Sequence, residues 1–85
     1  MDEYQVARRA SALPDQFADR LPADTLAGLK EMERGGEYGE LTIELAATLA
    51  KTGVRVSSAE QRELRALLEA TGMPTRPVDE LAVRD

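Results

Sequence analysis

Cysteine, histidine and tryptophan are all absent from this chain of 85 residues. Without cysteine there is no disulfide, no thiolate nucleophile and no zinc thiolate site, so a domain this small must be held by packing alone, which fits a reducing compartment. Without histidine the usual general base and the commonest metal ligand are missing, leaving carboxylates, Lys30, Lys51, serines and tyrosines for any chemistry. Gly35-Gly36 lacks the Gly-Lys-Ser/Thr continuation of a phosphate loop, and no calcium-loop ligand spacing occurs. The expectation is a protein that is not an enzyme, with no catalytic residue, cofactor or metal. No apolar run approaches the roughly 18 to 20 residues that span a bilayer, and Met1 to Ala10 is charged with no signal core. A cytoplasmic protein that does not engage membranes is expected.

Aromatic side chains are scarce too. Tyr4, Phe17 and Tyr38 are the full set, so leucine must dominate the packing. Hydrophobic residues make up 42% of the chain and charged residues 32%, a globular balance rather than a disordered one. Ala, Leu, Glu and Arg outweigh Val, Ile and Thr, which predicts an all-α fold: one domain over residues 1–85, a bundle of four to five short helices.

Apolar groups at Val6, Ala10, Leu13, Phe17 and Leu21 form a helical stripe through residues 1–20. Pro14 interrupts it, pushing residue 13 out of the α region and predicting a kink or two short helices. Leu21-Pro22-Ala23-Asp24-Thr25 opens a second helix, with Leu26 and Leu29 inward, and Gly35-Gly36 ends it. A third helix is expected from about Glu37 to Thr52, stopped by Gly53, with Leu41, Leu45 and Leu49 as its buried face. Val54-Arg55-Val56 is extended and too short to make a sheet alone. Ser57 and Glu60 have the spacing of a capping box, which starts a fourth helix at residue 58 with Leu64, Leu67 and Leu68 inward. Gly72 and Met73 fit a Schellman ending. Residues 74–85 then form a short C-terminal helix or tail, with Val78 and Leu81 turned inward.

The net charge of −5 is unevenly distributed. Residues 21–54 hold Asp24, Glu31, Glu33, Glu37, Glu40 and Glu44 against Lys30, Arg34 and Lys51, whereas residues 55–70 balance three Arg with three Glu as an ordinary solvated helix does. Glu37, Glu40 and Glu44 fall at spacings of three and four, on one exposed face of a helix, with no Lys or Arg from Gly35 to Ala50. Such a row is either a solvated face or a site for a basic protein, and the segmental imbalance favours the second. Asp24, Glu31, Glu37, Tyr38, Glu40 and Glu44 are therefore the candidate partner-binding residues. Tyr38 is either half-buried core or an interface anchor. An acidic surface repels nucleic acid, Arg8-Arg9 and Arg62 with Arg65 are diluted by acids, and neither helix beside Gly35-Gly36 has the basic end of a DNA-reading helix.

The order of signals resembles a known family. Leu21-Pro22, then Gly36-Glu37-Tyr38-Gly39 before a Leu-rich helix, then Val54-Arg55-Val56-Ser57 before Glu60 and Leu64, then Thr71-Gly72-Met73 and an apolar stretch from Val78 to Val83, is similar to the Maf-type immunity proteins of bacterial polymorphic toxin systems. The likeness covers about residues 21–83. Leu41-Thr42-Ile43-Glu44 stands where an Ala-Leu-Glu type of run is expected, and no aromatic lies near Pro77. The resemblance implies a small helical protein that binds and neutralises a cognate toxin domain, often a nuclease, by steric and electrostatic blocking, with no catalytic residues. A monomer is the expected state. The alternative is a helical adaptor or self-association module using apolar surface at Ile43, Ala46, Ala47 and Ala50.

Overall fold

The computed structural model describes residues 1–85 throughout. A reciprocal cap starts the first helix, α1 (Glu3–Ser11): the Gln5 N–H donates to Asp2 Oδ1 at 2.8 Å and the Asp2 N–H donates to Gln5 Oε1 at 3.1 Å. A second, single-turn helix, α2 (Leu13–Gln16), and a 3-10 turn at Ala18–Arg20 follow. The expected interruption is present, but it falls at Ala12 and Leu13 remains helical. Pro14 stands in the first turn of the new helix, where the first four N–H groups have no intrahelical acceptor and a missing one costs nothing.

The next helix, α3 (Ala23–Arg34), ends in a Schellman motif: Gly36 takes φ 71°, its N–H reaches the Glu33 carbonyl at 3.1 Å, and the Glu37 N–H reaches the Met32 carbonyl at 2.9 Å. Glu37 then caps α4 (Tyr38–Thr52), its carbonyl accepting from the Leu41 N–H at 2.9 Å. One residue thus closes one helix and opens the next. The helix α5 (Ser58–Ala70) begins with the expected capping box, Glu60 N–H to Ser57 Oγ at 3.0 Å and Ser57 N–H to Glu60 Oε1 at 2.9 Å. It ends in a second Schellman motif, where the Met73 N–H bonds the Leu68 carbonyl at 2.9 Å.

The C-terminal segment has the expected short helix with Val78 and Leu81 turned inward, and adds a strand pairing that was not expected. A single turn, α6 (Arg76–Asp79), buries Val78, and the chain then straightens. The extended residues Arg55–Val56 (β1) pair in parallel with Ala82–Val83 (β2), in the register Arg55 to Ala82 and Val56 to Val83. Val56 is buried, and the Arg84 N–H donates to its carbonyl at 2.8 Å, so the short extended joint finds hydrogen-bond partners at the far end of the chain.

Helix α4 is the axis of the domain, touching α1, α3, α5 and α6. Its Leu41, Leu45, Ala46 and Leu49 are fully buried and meet Ala10, Leu13, Phe17, Leu29, Leu64, Leu67 and Leu68. The Thr42 hydroxyl, also buried, donates to the Tyr38 carbonyl at 2.8 Å. The all-α expectation therefore holds, with four helices of nine or more residues. None of the helices is long and apolar enough to cross a membrane.

Gly39 marks where α4 meets the exit of α5. A Cβ at this position would lie 3.0 Å from Met73 Cγ and 3.1 Å from Thr71 Cβ. Gly39→Val is expected to overpack this contact and lower stability by about 1 to 3 kcal/mol in urea melts. An unchanged midpoint would show that the α5 exit moves aside freely.

Candidate protein-binding site

The surface carboxylates fall into two populations. In the first, each acid has a cationic partner on another element. Arg9 of α1 grips Glu63 of α5 through two nitrogens, and Arg20 of the 3-10 turn grips Glu60 at 2.9 and 2.7 Å. Arg20 also donates to the Arg55 carbonyl at 3.3 Å, and its guanidinium lies 4.3 Å from the centre of the Phe17 ring. Arg65 pairs with Asp79 at 2.7 Å. These forks tie the N-terminal segment and α6 to α5. The reading of residues 55–70 as a merely solvated, self-balanced stretch is thus corrected, since two of its glutamates are partnered by arginines from residues 1–20.

Bonding to Arg20, and after it to the Ser57 N–H and the Gln16 amide, holds the Glu60 carboxyl at about 2, against a burial that pushes it upward. Because its folded pKa is depressed, this group contributes stability that is complete above the ordinary carboxylate range. The contribution is lost as pH falls from about 4.5 toward 2. After allowance for solvent screening of a partly exposed pair, it is worth about 1 to 2 kcal/mol. Wild type and Glu60→Gln are expected to differ by that amount in melts at pH 7 and to converge near pH 2. A difference independent of pH would place the effect of the substitution elsewhere than in the ionised pair.

The second population includes most of the acids expected to bind a partner. Asp24, Glu37, Glu40 and Glu44 are exposed, and none is in an ion pair. Glu40 and Glu44 share a face of α4, one turn apart. Glu37, expected in line with them, stands instead at the junction between helices, with Oε1 3.2 Å from where a Cβ on Gly35 would be. Its exposure is retained, but its carboxylate leans back over the end of α3, because its backbone is held by both helices. Glu31 departs further: Arg34 neutralises it within α3.

Asp24 at the start of α3 and Glu44 on α4 line one polar groove of about 480 Å³, with Thr25, Thr48 and Lys51. Residues distant in sequence are thereby brought to one place by the packing of α3 against α4. Tyr38 lies elsewhere. It is half-buried against the core and also lines an open groove of about 310 Å³ with Met1, Asp2, Glu3, Val6 and Ala70, so both roles considered for it are available to the same side chain. That groove was not legible in sequence, since its walls come from three separate helices.

The apolar surface considered for self-association is largely covered by the chain itself. Ala46 is buried, Ile43 and Ala50 are half-buried against the core, and only Ala47 is exposed. No three carboxylates converge to hold a metal ion. Compared with known protein families, with curated proteins and with solved structures, the chain matches none.

Proposed function

We propose that this protein is a binding module whose acidic surface on α3 and α4 takes a basic protein partner, and that the partner is the catalytic domain of a bacterial toxin, which it neutralises as an immunity protein. The observation that carries the first half is the separation of the acids into two populations: Glu60, Glu63 and Asp79 are paired, while Asp24, Glu37, Glu40 and Glu44 are exposed and unpaired on neighbouring elements. Like charges left one turn apart cost a few tenths of a kcal/mol, which a cationic partner relieves. The second half rests on the resemblance of residues 21–83 to Maf-type immunity proteins. A nuclease domain must present positive charge to phosphates, so an acidic helical surface approaches it by electrostatic steering and obstructs it without chemistry.

The test is capture from native cell lysate with wild type beside a variant carrying Glu37→Gln, Glu40→Gln and Glu44→Gln. Wild type is expected to retain a basic toxin domain and suppress its activity, and the folded variant to associate roughly tenfold or more slowly at low salt. The difference should shrink as salt rises past the Debye regime. Capture of the same toxin domain with equal rate by both proteins would overturn the acidic site, and failure of wild type to suppress the captured domain would overturn the immunity function.

A further inference from the structure

The two walls of the groove between Asp24 and Glu44 are held very differently. On the α4 side, Glu44 and Thr48 alternate with the fully buried Leu45 and Leu49. The other side, Pro22, Asp24 and Thr25, belongs to the start of α3, a helix whose one fully buried residue, Leu29, comes in its second half. Leu26, expected inward, is only half-buried, and no side chain caps the N-terminus of α3. Gly28 stands in the helix interior, where a Cβ would meet nothing within 4 Å, so close packing does not explain its weak helix propensity there. Short helices owe most of their stability to packing, so the first half of α3 depends on what fixes the chain just before it. Leu21 rests against the core, and Arg20 reaches across to the far side of the groove. It forks onto Glu60 at 2.9 and 2.7 Å and donates to the Arg55 carbonyl at 3.3 Å. Pro22 follows Arg20 by two positions, and Thr52, in the opposite wall, precedes Arg55 by three. The arginine thus links the chain entering one wall to the chain leaving the other.

We infer that Arg20 is a positioning residue of the acidic site: its grip on Glu60 and the Arg55 carbonyl sets the spacing of Asp24 from Glu44. The inference rests on the proposed function for the use made of that spacing, and on the tether alone for its control. A wall free to swing would offer the Asp24 carboxylate over a range of positions and pay the ordering entropy when the partner binds, whereas a tethered wall is ordered beforehand. The guanidinium suits the task because its planar donors reach a carboxylate and a carbonyl together, which a single ammonium does not match. The Arg9 fork onto Glu63 is the internal comparison. It is an ion pair of the same kind, also made to α5, but it joins α1 and touches neither wall of this groove.

Because the chain has no cysteine, a pair of nitroxides can be placed through Ala23→Cys on α3 and Ala47→Cys on α4, both at exposed positions. Dipolar broadening between them then reads the spacing of the two walls in the intact protein. Arg20→Met keeps an apolar stem over Phe17 and removes the forked donors. It is expected to widen the distance distribution and, in hydrogen exchange, to lower protection of the Leu26 amide about five- to tenfold while the Leu45 and Leu49 amides keep theirs. Arg20→Lys, with the charge but no fork, should fall between wild type and Arg20→Met in both readings, which keeps the test decisive if Arg20→Met folds poorly. Arg9→Met should leave both readings of α3 as in wild type. A spacing unchanged by either Arg20 substitution, or widened equally by Arg9→Met, would overturn the positioning role. No partner enters these measurements, so their failure is distinct from that of the capture experiment. If Arg20 controls the spacing but the captured toxin domain ignores the acids, the tether stands and the proposed site falls.

Discussion

Phe17→Ala is expected to cost about 3 to 5 kcal/mol, the largest loss from any single truncation in this domain. Phe17 is the only phenylalanine and is wholly buried. It sits between α2 and the 3-10 turn, and its ring supports the Arg20 guanidinium that grips Glu60, so its removal opens a cavity and loosens a cross-element ion pair together. Small domains hold only about 0.05 to 0.15 kcal/mol per residue, roughly 4 to 13 kcal/mol for this chain, so the loss is a large fraction of the stability of the fold. Phe17→Leu keeps most of the apolar volume and should cost under about 1.5 kcal/mol. Urea melts followed by circular dichroism decide the matter. If Phe17→Ala melts like wild type, residues 1–20 are not part of the cooperative core.

Leu45→Ala is expected to cost about 2 to 5 kcal/mol. Leu45 is fully buried at the middle of α4, the helix in contact with α1, α3, α5 and α6, so surrounding elements have little freedom to collapse into the space left behind. Its neighbour Glu44 is exposed and unpaired, and Glu44→Ala should stay within about 0.5 kcal/mol. Two adjacent positions with opposite outcomes would verify the orientation of α4 and hence the outward direction of the acidic residues. Equal losses at both would mean that the helix is rotated from the position described.

The elements that carry their own local signal were legible in the sequence. Ser57 and Glu60 announce α5, Gly36 and Gly72 announce two helix ends, and the spacing of Leu41, Leu45 and Leu49 gives the buried side of α4. What escaped depends on residues far apart along the chain. Nothing near Arg9 or Arg20 points to Glu63 or Glu60, and the extended shape of Val54-Arg55-Val56 does not disclose that Ala82 and Val83 will pair with it. The candidate site divides in the same way. Exposure of Glu40 and Glu44 follows from helical period, whereas the Glu31 to Arg34 pair and the backward lean of Glu37 are side-chain outcomes that period alone leaves open. The joining of Asp24 with Glu44 required the packing of α3 on α4.

The parallel pairing of Ala82–Val83 with Arg55–Val56 has a consequence for how the domain opens. Beyond the two strands, Asp85 accepts the Ser58 N–H at 2.8 Å and also the Ser58 hydroxyl, so the last four residues latch onto the entrance of α5 through few contacts, mostly at the surface. Val78 and Leu81 lie deeper and remain with the core. The latch is thus a separate, low-energy unit of unfolding, able to detach while the helices stay assembled. In hydrogen exchange, the Ser58 and Arg84 amides should lose protection together, well before the amides of α4, and the chain would breathe from its C-terminal strand without exposing its leucines.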